Sequence, residues 1–140
     1  MNADQMMAEG WRLVDMRGFS GTVGPFWRRG VGSELEIGLL TEARHANSHL
    51  GTVHGGVLMT FVDIALGFAV SNLLGSSHCA TVQLQLQFVS AGKVEELIIC
   101  RPEVVRRSAQ LVFLRGLISA DGRTLASADG IWKVLEPKGD

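Results

Sequence analysis

The stretch Gly51-Thr52-Val53-His54-Gly55-Gly56 runs straight into an apolar segment, VLMTFVDIALGFAVSNLL over residues 57–74, whose one charge is Asp63. Nothing else in the chain limits the fold as tightly. Its length and apolarity predict a helix over about 55–74, stopped at Gly75. The segment is marginal for a bilayer span and contains Thr60, Asp63, Gly67, Ser71 and Asn72, so it reads as a helix buried in protein. A lone carboxylate in such a setting is costly to bury unless it is paired or used. The glycines leave backbone N–H groups bare at the helix start, where the macrodipole favours negative charge. An anion-stabilising helix end and an isolated carboxylate are two parts of an acyl-transfer site.

A helix this apolar needs a cover, and the second half of the chain supplies strands. Over 79–90 the residues alternate, with Val82, Leu84, Leu86 and Phe88 on one face and Gln83, Gln85 and Gln87 on the other. Residues 94–106 read as a second strand, with Pro102 marking a bulge or edge. Residues 109–119 and 124–135 read as a third and fourth, joined by the hairpin signal Ala120-Asp121-Gly122-Arg123. Short turns between consecutive strands predict an antiparallel meander over 79–135. The first half predicts a short helix over 4–15, an irregular entry over 19–31 with one short strand, a half-buried strand over 33–40 and a polar loop over 41–53. The expected class is α+β, a curved antiparallel sheet wrapped around a central helix, as one domain over 1–140.

Composition narrows the function. Hydrophobic residues make up 46% and charged residues 19%, which suits a folded core. A net charge of −1 without a basic stripe argues against a nucleic-acid partner. Cys79 and Cys100 form no C-x-x-C pair and no cluster with histidine, so they read as reduced core thiols, and no metal site is expected. The first residues lack a basic start followed by an apolar run. The expected location is the cytoplasm, with no membrane partner.

Asp63 is the leading catalytic candidate. Its neighbours Phe61, Val62, Ile64 and Ala65 are apolar, and a carboxylate partly withdrawn from water is a stronger general base or a nucleophile. Gly55 and Gly56 lack a Cβ, so substrate can reach N–H groups that would bind a tetrahedral oxyanion. His54 is read as orienting this turn or the substrate carbonyl. The small residues at Gly67 and Ala65–Ala69 leave room for an acyl group. Gly55 and Asp63 are eight residues apart, about 12 Å along a helix. One carbonyl cannot touch both, so a shared site in a homodimer is expected, each site drawing Gly55 from one subunit and Asp63 from the other. Arg106, Arg107 and Ser108 read either as a solvated hairpin or as a phosphate contact.

The motif Asn47-x-x-x-Gly51-x-x-His54-Gly55-Gly56, with Asp63 seven residues after the second glycine, resembles the hotdog-fold thioesterases, in particular the PaaI-like acyl-CoA group from phenylacetate degradation. The resemblance runs from about Gly24-Pro25 through the strands. It implies a dimer or tetramer, a dimer of dimers, that hydrolyses acyl-CoA thioesters, with coenzyme A part of the substrate and no separate cofactor. Asp63 would be base or nucleophile, the Gly55 N–H the oxyanion hole and His54 its support. Asn47 would position water or the carbonyl. Relatives carry that asparagine three residues before the glycine, a register held here by Ser48. Thr81, eighteen residues after Asp63, matches a hydroxyl near the aspartate, and Arg106-Arg107-Ser108 matches a region that meets the CoA nucleotide. Two alternatives stay open: a hotdog dehydratase or hydratase using His54 and Asp63, and a non-catalytic acyl-CoA-binding module.

Overall fold

The structure is a computed structural model and describes residues 1–136. Its centre is a helix at Gly55–Leu74, which ends where Gly75 takes the left-handed conformation at φ +72°. Leu58, Phe61, Val62, Ala65, Leu66, Ala69 and Val70 recur at helical spacing and are buried under the sheet. The helix has the length and apolarity of a membrane span, yet this face is covered by protein. A second stripe, Gly56, Met59, Asp63 and Gly67, stays exposed or half-exposed.

In chain order the elements are α1 (Ala3–Ala8), β1 (Arg12–Val14), α2 (Gly18–Val23), β2 (Phe26–Arg29), β3 (Glu36–Leu40), α3 (the central helix), β4 (Cys79–Phe88), β5 (Leu97–Cys100), β6 (Glu103–Arg107), β7 (Leu111–Ala120) and β8 (Arg123–Val134). The strands form one antiparallel sheet in the order β1-β2-β3-β5-β7-β8-β4, with β6 also on β7. This curved sheet around one long helix is the hotdog architecture.

The expected meander is corrected. β4 pairs with β8, the last strand, and β5 lies between β3 and β7. β8 pairs with β7 on one side and β4 on the other, with Ala126, Ala128 and Gly130 buried, so it takes an interior place and β4 the edge. The β4–β5 connection therefore crosses the sheet. On its way Gly92 accepts from Val53 N–H (2.8 Å), and the carbonyls of Lys93 and Glu96 accept from the Thr41 hydroxyl (3.0 and 2.8 Å). The crossover thus braces the 41–54 loop that leads into α3.

Three further expectations change. The helix expected over 4–15 stops at Ala8, because Gly10 turns to φ +92° and β1 follows. Trp11 then packs with Met6 and Trp27 in a small second core. The 19–31 entry contains a helix, α2, as well as its strand. The strand expected over 94–106 is broken at Arg101-Pro102 into β5 and β6, since proline offers no ladder N–H. The β7–β8 hairpin turns at Asp121 (φ +48°) and Gly122 (φ +75°), a turn whose twist suits flanking strands.

A bulge decides what β4 presents to the helix. Thr81 pairs with Trp132 but Gln83 pairs with Ile131, so Val82 is an extra residue. Strict alternation would set Thr81 beside the outward glutamines. The bulge shifts the phase, and Thr81 joins Leu84, Leu86 and Phe88 on the face toward α3.

Candidate active site

The start of α3 is built on histidine. His54 is the N-cap, and its Nδ1 accepts from Gly56 N–H at 2.8 Å, a role usually filled by Ser, Thr, Asn or Asp. A Cβ on Gly56 would stand 2.9 Å from that Nδ1, so only glycine leaves room for the cap. Because Nδ1 accepts, the neutral ring carries its proton on Nε2, which makes no hydrogen bond among the described residues. Val57 and Leu58 N–H both point to the His54 carbonyl (2.9 and 3.3 Å). Of the first four helical N–H groups, that of Gly55 has no partner among the described residues. A cleft of about 290 Å³ opens beside it, lined by Val53, Gly55, Leu58, Phe88 and residues 89–92. Of the two glycine N–H groups expected to meet an oxyanion, that of Gly56 is already taken by the cap and that of Gly55 is left.

Asp63 is half-buried, and its Oδ1 accepts from the Thr81 hydroxyl at 2.6 Å. No cation pairs with it among the described residues, and Oδ2 stays free. The helix is continuous from Gly55 to Asp63, so the separation of about 12 Å along its axis stands. The 290 Å³ cleft does not include Asp63. A larger cavity of about 750 Å³, beside Leu35, Ala69, Leu73 and Pro102, lies toward the other end of α3. Of the small residues expected to face an acyl group, Ala65 and Ala69 point into the core, and Gly67 alone lies on the open stripe.

The remaining candidates sit apart from Asp63 in different ways. Asn47 closes its own loop: Nδ2 donates to Thr52 Oγ1 (2.8 Å), and Oδ1 accepts from His49 and Leu50 N–H (3.2 and 2.6 Å). Ser48 is exposed beside it, with no side-chain hydrogen bond among the described residues. Ser108 is spent on the β6–β7 turn, exchanging hydrogen bonds with Leu111. Arg107, Val112, Trp132 and Thr81 form one cross-strand row, so Arg107 shares the helix-facing side with Thr81, three strand spacings or about 14 Å away. Arg106 is in the row of Phe113, Ile131 and Gln83 and faces outward.

Sequence reasoning missed His45. It is 2% exposed, with Nδ1 accepting from Glu42 N–H (2.9 Å) and Nε2 donating to the Val23 carbonyl (2.6 Å). Its own carbonyl accepts from His54 N–H at 2.8 Å, so His45 fastens the cap residue to α2. Nothing local marks this role, because the bond spans from residue 45 to residue 23. Cys100 is buried and its thiol is pushed up to about 12 by that burial, which removes it as a nucleophile near neutral pH.

Comparison with known proteins gives concordant results. Residues 50–127 match the family model described as the thioesterase superfamily. A Pseudomonas aeruginosa protein named as a putative esterase is 30% identical over 112 residues, covering 79% of this chain and 83% of that one. The crystal structure of a phenylacetic acid degradation-related protein from Ralstonia eutropha, named as a putative thioesterase, superposes with a TM-score of 0.76 at 27% identity, over 95% of this chain and 100% of that one. A Bacillus halodurans protein crystallised with CoA superposes with a TM-score of 0.66 at 29% identity, over 71% and 66% of the two chains. The chain belongs to the thioesterase superfamily.

Proposed function

We propose that this protein is an acyl-CoA thioesterase whose sites are shared between two copies of the chain. The observation that carries the reading is the capping pattern of α3, in which Gly55 N–H alone is left to bind an anion while Thr81 holds Asp63. Asp63 Oδ2 takes a proton from water, and the oxygen attacks the thioester carbonyl carbon. Alternatively the carboxylate attacks directly and water later cleaves the anhydride. Either way the carbonyl oxygen gains negative charge beside Gly55 N–H, where the helix dipole supports it. The C–S bond then breaks, and the CoA thiolate leaves and is protonated.

The 12 Å between Gly55 and Asp63 supports a site completed by a second copy. β4 is a long edge strand beside Asp63 with one side unpaired among the described residues, and Val82, Phe88 and Val89 near it are exposed, which suits pairing between copies. The CoA in the Bacillus halodurans relative supports a CoA-bearing substrate. Arg107, on the same face as Thr81 and outward along the sheet, is a fitting partner for its phosphates, and Arg106 is the weaker candidate. Because His54 Nδ1 is committed to the cap, His54 is not a free base, which disfavours the dehydratase reading.

The test is free-thiol release from phenylacetyl-, benzoyl- and straight-chain acyl-CoAs, with Asp63→Asn alongside. Turnover lost by about a thousandfold or more in a folded Asp63→Asn protein is the expected result. Formation of an enoyl or hydroxyacyl product without free thiol would favour a dehydratase. Binding of acyl-CoA with no turnover would make this a binding module.

A further inference from the structure

Trp132 differs from the other two tryptophans. The indole N–H groups of Trp11 and Trp27 are sealed in the second core without partners. Trp132 is 2% exposed and also makes no side-chain hydrogen bond among the described residues, but its nitrogen is not sealed in that way. It packs closely against the bare Cα of Gly67 in α3: a Cβ there would stand 3.3 Å from Nε1, tighter than an ordinary carbon contact. The ring is held in this pose by a second glycine, because a Cβ on Gly130 would meet its Cζ3 at 2.6 Å. Two glycines, one on the helix and one on the strand, therefore frame a nearly buried donor beside half-exposed Gly67, where the missing Cβ leaves a shallow notch.

The notch adjoins Asp63 from both sides. Gly67 is one helical turn beyond Asp63 on the same stripe, a spacing of about 6 Å. Trp132 is the cross-strand partner of Thr81, which donates to Asp63. Aspartate, threonine hydroxyl and indole are thus linked in sequence by one pairing, one hydrogen bond and one helical turn.

We propose that the Gly67 notch over Trp132 is the acyl subsite of the Asp63 centre, and that the indole N–H selects acyl groups with an oxygen acceptor near the thioester carbonyl. This rests on the hydrolase reading above. A plain hydrocarbon filling the notch would strip water from Nε1 and leave the donor unpaired, whereas a 3-hydroxyl oxygen, three bonds beyond the carbonyl carbon, restores the bond. Discrimination of this kind, where a buried polar group is paired by one substrate and orphaned by the other, is worth about ten- to a hundredfold.

The experiment measures kcat/KM by thiol release and Kd by calorimetry for hexanoyl-CoA and 3-hydroxyhexanoyl-CoA, on the native protein, Trp132→Phe and Gly67→Ala. Native protein is expected to favour the 3-hydroxy compound by about tenfold or more in both readouts. Trp132→Phe keeps an aromatic side chain but removes the N–H donor and brings the ratio close to one. Gly67→Ala places a Cβ 3.3 Å from Nε1, fills the notch and lowers the ratio too, and a thermal melt checks that this variant stays folded. If Trp132→Phe fails to fold, Gly67→Ala decides alone. Turnover with equal ratios in all three proteins overturns the subsite and leaves the thioesterase intact. A Kd preference lost in the variants, without turnover in any protein, supports the subsite and overturns the hydrolase reading. No binding of either compound overturns both.

Discussion

The Thr81–Asp63 hydrogen bond is the contact on which the proposed chemistry most depends, and Thr81→Val removes it with little change of shape. Valine keeps the β-branch and suits β4 as well as threonine does. What is lost is an O–H donor 2.6 Å from Asp63 Oδ1. Hydrogen bonds to charged groups contribute about 1.5–3 kcal/mol, and the exposure of Thr81 puts this one at the low end, since water can replace the hydroxyl in part. About 1.5 kcal/mol corresponds to a little over tenfold in rate. The bond fixes the carboxylate's rotamer rather than touching substrate, so the loss should fall on kcat and leave KM nearly unchanged. Thr81→Ser returns the donor and should recover most of the activity. The assay is steady-state thiol release from the best acyl-CoA, with a thermal melt for each variant. A Thr81→Val protein with native kcat would refute the reasoning, as would a Thr81→Ser protein no better than Thr81→Val.

Two further outcomes follow from the supports of the site. His45→Phe keeps ring volume but leaves Glu42 N–H and the Val23 carbonyl unpaired, so it should lower stability by about 2–4 kcal/mol in urea unfolding, with His45→Gln in between; an unchanged midpoint would show that the ring's bonds do not hold the loop. Glu96, in the crossover, is bonded to Arg123 at 2.9 and 3.0 Å, and this hydrogen-bonded guanidinium holds its carboxyl below the usual range. A depressed folded value means that the stabilisation is complete above the unfolded carboxylate value of about 4.3 and is lost as pH falls through the folded one. The Tm gap between native protein and Glu96→Gln should therefore be full at pH 6 and shrink steadily below about pH 5. A gap that does not change with pH would contradict this.

What the sequence discloses is local. The central helix and its stop at Gly75 were readable because apolar spacing, glycine start and glycine cap lie within one segment. The Asp121-Gly122 turn was readable for the same reason. Strand order was not, because β4 pairs with β8 and not with the strand that follows it, a contact between segments remote in sequence. The clearest case is Thr81. Alternation sets it among the glutamines, the family resemblance sets it near the aspartate, and the bulge at Val82 reconciles the two. His45 and Trp132 stayed hidden because their partners, Val23 and Gly67, are remote in sequence.

The central claim is a site divided between two chains, and mixing crippled subunits tests it directly. Asp63→Ala removes the base, and Gly55→Val covers the oxyanion donor. Each protein alone should be nearly inactive while remaining folded. In a mixed dimer one site pairs the intact Gly55 of the first subunit with the intact Asp63 of the second, and the other site carries both lesions. Random exchange of equal amounts should restore about a quarter of native activity, half the dimers having one of two sites. Recovery near that level is the predicted result. Subunits shown by mass to have exchanged, with no activity regained, would contradict a shared site.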